Sequence, residues 1–125
     1  MDEEVDMSVH RSAECGRLGV DDEGRDVVIG GWVHRRRDHG NLIFIDLRDR
    51  SGIAQVVVRP ERSSQAHAVC RNVRNEFVLI VSGTVVRRGP ENVNPDIPTG
   101  EIEVVARHIE VLNSSDVPPF PLDGP

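Results

Sequence analysis

Gly31 to Val58 reads GWVHRRRDHGNLIFIDLRDRSGIAQVVV, and its residue types match what a single-stranded nucleic acid demands of a binding surface. Phosphates are met by guanidinium forks, unstacked bases by an aromatic face, and base edges by amides that both donate and accept. Arg35, Arg36 and Arg37 supply the first, Phe44 the second and Gln55 the third. Strand alternation over Leu42 to Arg48 puts Ile43, Ile45 and Leu47 on one face, suited to a core, and Leu42, Phe44, Asp46 and Arg48 on the other. Phe44 therefore shares a polar face with Asp46 and Arg48, where it is either a stacking platform or a ring packed under a loop or the N-terminal segment. Gln55 interrupts the apolar run from Ile53 to Val58 and is either a base-edge reader or a solvated strand residue. The same alternation separates Arg36 from Arg35 and Arg37, so at least one of the three is expected to be solvated or salt-bridged.

Catalysis is not expected from this chain. Its five histidines, His10, His34, His39, His67 and His108, show no metal-ligand spacing with one another or with Cys15 and Cys70, so no metal or other cofactor is expected. There is no nucleophile elbow and no phosphate-binding glycine loop. Glu101 and Glu103 share a strand face and read as a hydrogen-bonding or solvated edge. A net charge of −6 argues, taken alone, against a nucleic-acid partner. The distribution matters more than the sum: acids crowd Asp2 to Asp6 and Asp21 to Glu23, while arginines cluster at 35–37, 48, 50 and 87–88. All 15 basic residues are arginine, which favours bidentate phosphate contacts, although GC-rich codon usage would produce the same substitution for lysine. No apolar run approaches the roughly 20 residues of a membrane span, and the acidic N-terminus lacks the apolar segment of a secretory signal. With two distant cysteines read as reduced thiols, a cytoplasmic location is expected.

Five extended segments must position these side chains. They are read at Arg25 to Arg37, Leu42 to Arg48, Ile53 to Arg59, about Phe77 to Val86, and Glu101 to about Leu112. Asp38-His39-Gly40-Asn41 and Asp49-Arg50-Ser51-Gly52 are the first two turns. Between Glu61 and Asn75, Ala66, Val69, Cys70 and Val73 recur at helical spacing. The order β-β-β-α-β-β, with the helix between the third and fourth strands, is the plan of the OB-fold, an all-β five-stranded Greek-key barrel. Arg87 and Arg88 then open a long Pro/Gly/Asn loop between strands four and five, a place where such barrels grip oligonucleotides. Residues 1–12 are expected to be an acidic tail, 13–112 the barrel, and 113–125 a Pro-rich linker towards a further domain, as in a chain cut from a longer one.

Over about residues 13–123, GWVHRRRDHGNLIFIDLRDRSGIAQVV, RNEFVLIVSGTVVRR, NPDIPTGEIEV and PPFPLD resemble the N-terminal domain of bacterial-type aspartyl-tRNA synthetases. Lysyl and asparaginyl relatives share the arginines, the strand Phe and a Gln, but not IFIDLRDR combined with TGEIEV and PPF. The resemblance implies an anticodon-binding OB-fold for tRNA-Asp, anticodon GUC or QUC, ahead of a class II catalytic domain. That domain, absent from this stretch, would bring ATP and Mg2+ and the main interface of a homodimer. It implies that Phe44 stacks on the central anticodon uridine, Gln55 reads that base's edge, and Arg37 serves the wobble base and backbone. Arg88, Asn92 and Glu103 match positions near the third base, a cytidine, and Arg35, Arg48 and Arg87 complete the expected site. Two positions depart from the pattern. Val86 stands where an arginine is common, so part of the third-base contact is either weakened or supplied by Arg87. His39 stands where tRNA-Asp-specific members often carry leucine, and is either a mark of relatives that also charge tRNA-Asn or a loop histidine without discriminating effect.

Three functions compete on these residues. An anticodon reader predicts dependence on the central uridine and loss of binding with salt. A free-standing OB-fold single-strand binder predicts comparable affinity for unrelated oligonucleotides. A protein-docking barrel predicts indifference to Phe44→Ala, and the acidic net charge is its best support.

Overall fold

In a computed structural model, residues 12–112 are described. The expected tail and Pro-rich linker fall, but for Ser12, outside the described residues. Five strands form a closed barrel: β1 (Asp26–His39), β2 (Leu42–Asp49), β3 (Gly52–Val58), β4 (Val78–Arg87) and β5 (Ile102–Val111). Their order around the wall is β1-β2-β3-β5-β4, antiparallel throughout except for β3 and β5, which pair in parallel at Val56↔Val104 and Val57↔Val105. This is the OB-fold that the element order implied. The helix α1 (Ser64–Cys70) lies between β3 and β4.

Alternation fills the barrel. Ile43, Ile45 and Leu47 of β2, Ala54, Val56 and Val58 of β3, and Leu79, Val81 and Val85 of β4 are all buried in one apolar cluster. Each fully buried Val, Leu or Ile side chain contributes about 1.5–3 kcal/mol. β1 and β2 close in a two-residue hairpin, His39↔Leu42, with Gly40 at φ 65°. A positive φ at the first central position suits glycine and gives a turn whose twist matches the strands.

Helix α1 is shorter than the apolar spacing suggested. Ser63 caps it, its hydroxyl accepting from the Ala66 N–H at 3.1 Å. At the other end, Arg36 Nε donates to the Cys70 carbonyl at 3.1 Å, and the Val73 N–H reaches the same oxygen at 3.2 Å. That tighter closing turn ends the helix and drops Val73 into the core. Cys70 is buried there, and burial pushes its thiol up to about 12, with the Arg36 charge opposing, so it is inert. From α1, the Gln65 side chain donates to the Ile109 carbonyl at 2.8 Å and accepts from its N–H at 3.1 Å, pairing with β5 beyond the β3 ladder.

Candidate nucleic-acid interface

A bulge in β1 decides what the arginines face. Val33 points into the core opposite Leu47, but the register then slips, and Arg35 pairs with Asp46, Arg36 with Ile45 and Arg37 with Phe44. The extra residue, His34, inverts the alternation. Without it Arg35 and Arg37 would point into the barrel; with it they stand on the outer wall, and Arg36 turns inwards to the end of α1. Arg36 also pairs with Asp38 at 3.0 Å, the salt-bridged role expected of one member of the cluster.

On the outer wall one row runs through the register partners Arg35 (β1), Asp46 (β2) and Gln55 (β3), and continues through the hydrogen bond from Gln55 to Glu103 (β5) and on to its register partner Val86 (β4). The next row begins with Arg37 and Phe44. Gln55 is only 7% exposed although it faces outwards, and both ends of its amide are engaged. Arg37 Nη2 donates to Gln55 Oε1 at 2.9 Å, and Gln55 Nε2 donates to Glu103 Oε1 at 2.9 Å. Asp46 Oδ1 lies 3.6 Å from the same Arg37 nitrogen. The Arg37 guanidinium sits 5.4 Å from the centroid of the Phe44 ring, within cation–π range. His39 meets that ring edge-on, centroids 6.4 Å apart at 83°. Phe44 is half-buried and remains on the polar face, framed by a cation and an imidazole.

The other expected residues divide. Arg88 is 9% exposed, with Nε donating to the Ile102 carbonyl at 2.8 Å and Nη1 to the Asn92 carbonyl at 3.2 Å. Burial lowers its pKa, while the carboxylates of Glu103 and Asp46 oppose that and Arg37 adds to it. It lies near the charged groups of the wall and ties down the 88–101 loop. Asn92 is exposed on the turn Pro90–Asn92 of that loop. Arg48 is exposed on the same wall, four residues from Phe44 and therefore about 13 Å along the strand. Arg87 does not join the row: one residue beyond Val86, it pairs with Glu23 at 2.9 Å. It therefore stands away from the place where an arginine in Val86's position would reach.

Two contributors had no role from sequence. Asp46 was visible on the Phe44 face by alternation, but its contact with Arg37 needed the bulge. Thr99, 1% exposed, donates its hydroxyl to the Ile53 carbonyl at 2.6 Å and fastens the loop to β3; a threonine among prolines gives no such signal. Among the described residues no group of His, Cys, Asp or Glu is placed to hold a metal, and no helix is long and apolar enough to cross a membrane.

The barrel wall thus combines an aromatic platform, guanidinium groups and an oriented amide on one surface. Residues 27–112 match the tRNA anticodon model, described as an OB-fold nucleic acid binding domain. The chain belongs to this family of OB-fold domains. The domain is 54% identical over 113 residues to the aspartate–tRNA(Asp/Asn) ligase of Caldanaerobacter subterraneus subsp. tengcongensis, covering 90% of this chain and 19% of that protein. It is 53% identical over 112 residues to the aspartate–tRNA ligase of Geobacillus kaustophilus, again covering 90% of this chain and 19% of the relative. The chain therefore spans about a fifth of the length of the relatives it matches. Among solved structures it is similar to the asparaginyl-tRNA synthetase from Pyrococcus horikoshii, with TM-score 0.69, 27% identity, and coverage of 87% of this chain and 23% of that one.

Proposed function

We propose that this wall reads the anticodon loop of tRNA-Asp on behalf of an aspartate–tRNA ligase. The observation that carries the reading is the Arg37–Gln55–Glu103 chain of hydrogen bonds lying beside the Phe44 ring. In this reading Phe44 stacks on the central uridine, and Arg37 keeps Gln55 through Nη2 while offering its other N–H groups to the backbone and wobble base. Gln55 offers its remaining amide hydrogen and carbonyl lone pair to the uridine edge. Glu103 accepts from the amino group of the third base, a cytidine, with Asn92 near it on the loop. ATP and Mg2+ chemistry, and the homodimer contact, belong in this proposal to a separate catalytic domain. Charging of tRNA-Asn as well is a second part of the proposal, resting on His39 at the rim of the Phe44 platform. Overall similarity does not separate the two specificities, since relatives of both names match at 53–54%.

The test is titration of the chain with anticodon stem-loops carrying GUC, GAC and GUU at two salt concentrations. A preference for GUC over GAC that disappears in Phe44→Ala supports the reading, with a loss of about 1–3 kcal/mol for the stacked base. Equal affinity for all three would reduce the domain to a general single-strand binder, and GUU binding as tight as GUC would support the wider tRNA specificity.

A further inference from the structure

The Gln55 amide has two chemically different ends, and its partners cannot exchange them. Arg37 is a donor only, so it requires the carbonyl oxygen, and an ionised Glu103 is an acceptor only, so it requires the NH2 group. Turning the amide over would set its NH2 against the guanidinium and its carbonyl against the carboxylate, two mismatches at a site only 7% exposed. A further clamp acts on the donor end, because Asp46 lies 3.6 Å from the Arg37 nitrogen that binds Gln55.

This bears on which pyrimidine the amide accepts. Uracil presents an acceptor at its 4-position followed by a donor at N3, whereas cytosine presents a donor followed by an acceptor. A glutamine free to turn over offers two hydrogen bonds to either base, and so separates them poorly. A glutamine held in one sense matches one order and opposes the other. We infer that Glu103 and Arg37 lock Gln55 in a single orientation, making Glu103 a positioning residue that sets the choice between uracil and cytosine at the base read by its neighbour. Two adjacent letters of the loop are then read jointly: the residue facing the third base also sets the discrimination at the second. This rests on the anticodon reading proposed above, while the lock itself can be observed without RNA.

The experiment compares wild type with Glu103→Gln, which has the same shape but can donate as well as accept, so that turning Gln55 over meets one mismatch, at Arg37, instead of two. Affinities are measured for stem-loops carrying GUC and GCC, which share the third base, so any lost third-base contact cancels in the ratio. Wild type is expected to prefer GUC by about 10- to 100-fold, the discrimination of one good two-bond pair. Glu103→Gln is expected to lower the ratio severalfold while both affinities fall. In parallel, the Gln55 side-chain amide of the RNA-free chain is followed by 15N NMR, with slow solvent exchange expected in wild type and faster exchange in Glu103→Gln. Arg37→Gln, which removes the donor-only partner at the other end, is the second variant if Glu103→Gln fails to fold, and a comparable severalfold fall of the ratio is expected. An unchanged GUC:GCC ratio in a folded variant would overturn the inference and leave the anticodon reading standing. A wild type that prefers GUC to neither GAC nor GCC would overturn the anticodon reading, and with it the inferred coupling, even if the NMR lock were present.

Discussion

Replacing Arg88 by methionine separates a loop anchor from a base contact. The side chain is 9% exposed and makes two charge-assisted bonds to backbone carbonyls, 2.8 Å to Ile102 and 3.2 Å to Asn92. Bonds to charged groups contribute about 1.5–3 kcal/mol each, the longer one falling at or below the low end, so their gross loss is about 3–5 kcal/mol. Methionine recovers part of this by filling the space and by removing the cost of burying a guanidinium, the effect that lowers the Arg88 pKa. A net destabilisation of about 2–3 kcal/mol remains, which for a domain of this size lowers Tm by roughly 8–20 °C. The loop from Gly89 to Gly100 should loosen as well, since the Arg88 N–H to Glu101 carbonyl bond would be left as the adjoining tie. Urea and thermal unfolding read the stability, and hydrogen exchange at Asn92, Asn94 and Gly100 reads the loop. If Arg88→Met unfolds at the wild-type midpoint yet abolishes stem-loop binding, the anchoring argument is wrong and Arg88 is a ligand contact.

Three further outcomes follow from the same geometry. Asp49 is pushed up by burial, but the Ser51 hydroxyl at 2.6 Å and the N–H groups of Cys15 at 2.9 Å and Ser51 at 2.8 Å outweigh this and leave its pKa below the ordinary carboxylate value. Its stabilisation is then fully present above the unfolded-state pKa and lost as pH falls through the lowered folded value. Asp49→Asn should cost about 1–3 kcal/mol at pH 7 and show a shallower fall in acid, checked by urea titrations across pH. Gly83→Ala should destabilise by more than about 2 kcal/mol, because a Cβ there would meet the Val104 side chain at 2.7 Å and overlap the Val105 carbonyl, where β4 and β5 slip register; unaltered thermal stability would show that the bulge can give way. Arg87→Ala should change stem-loop affinity less than about twofold and stability by under about 1 kcal/mol, since its partner Glu23 is an exposed carboxylate off the binding wall. A large loss of binding would place Arg87 at the RNA after all.

Local chemistry settled much of this protein before any coordinates. The alternation of Ile43, Ile45 and Leu47 against Phe44 and Asp46 is uninterrupted, so the sidedness of β2 was legible, and the apolar spacing from Ala66 to Val73 placed a helix where the barrel plan needs one. Phe44 and Gln55 stood out as an aromatic and an amide on strands, each with a bland alternative, and the family resemblance alone supplied an expected role for Glu103. What alternation could not supply was parity through β1. The bulge at His34 leaves no mark in RRR, yet it alone sends Arg35 and Arg37 outwards and Arg36 to the helix end. Arg87 and Arg88 are chemically identical neighbours in sequence, and only the tertiary structure puts one against an exposed glutamate and buries the other against backbone carbonyls. The orientation of Gln55 belongs to the same class. An amide by itself has no preferred sense, and its partners come from β1 and β5, 18 residues upstream and 48 downstream, brought together only when the barrel closes.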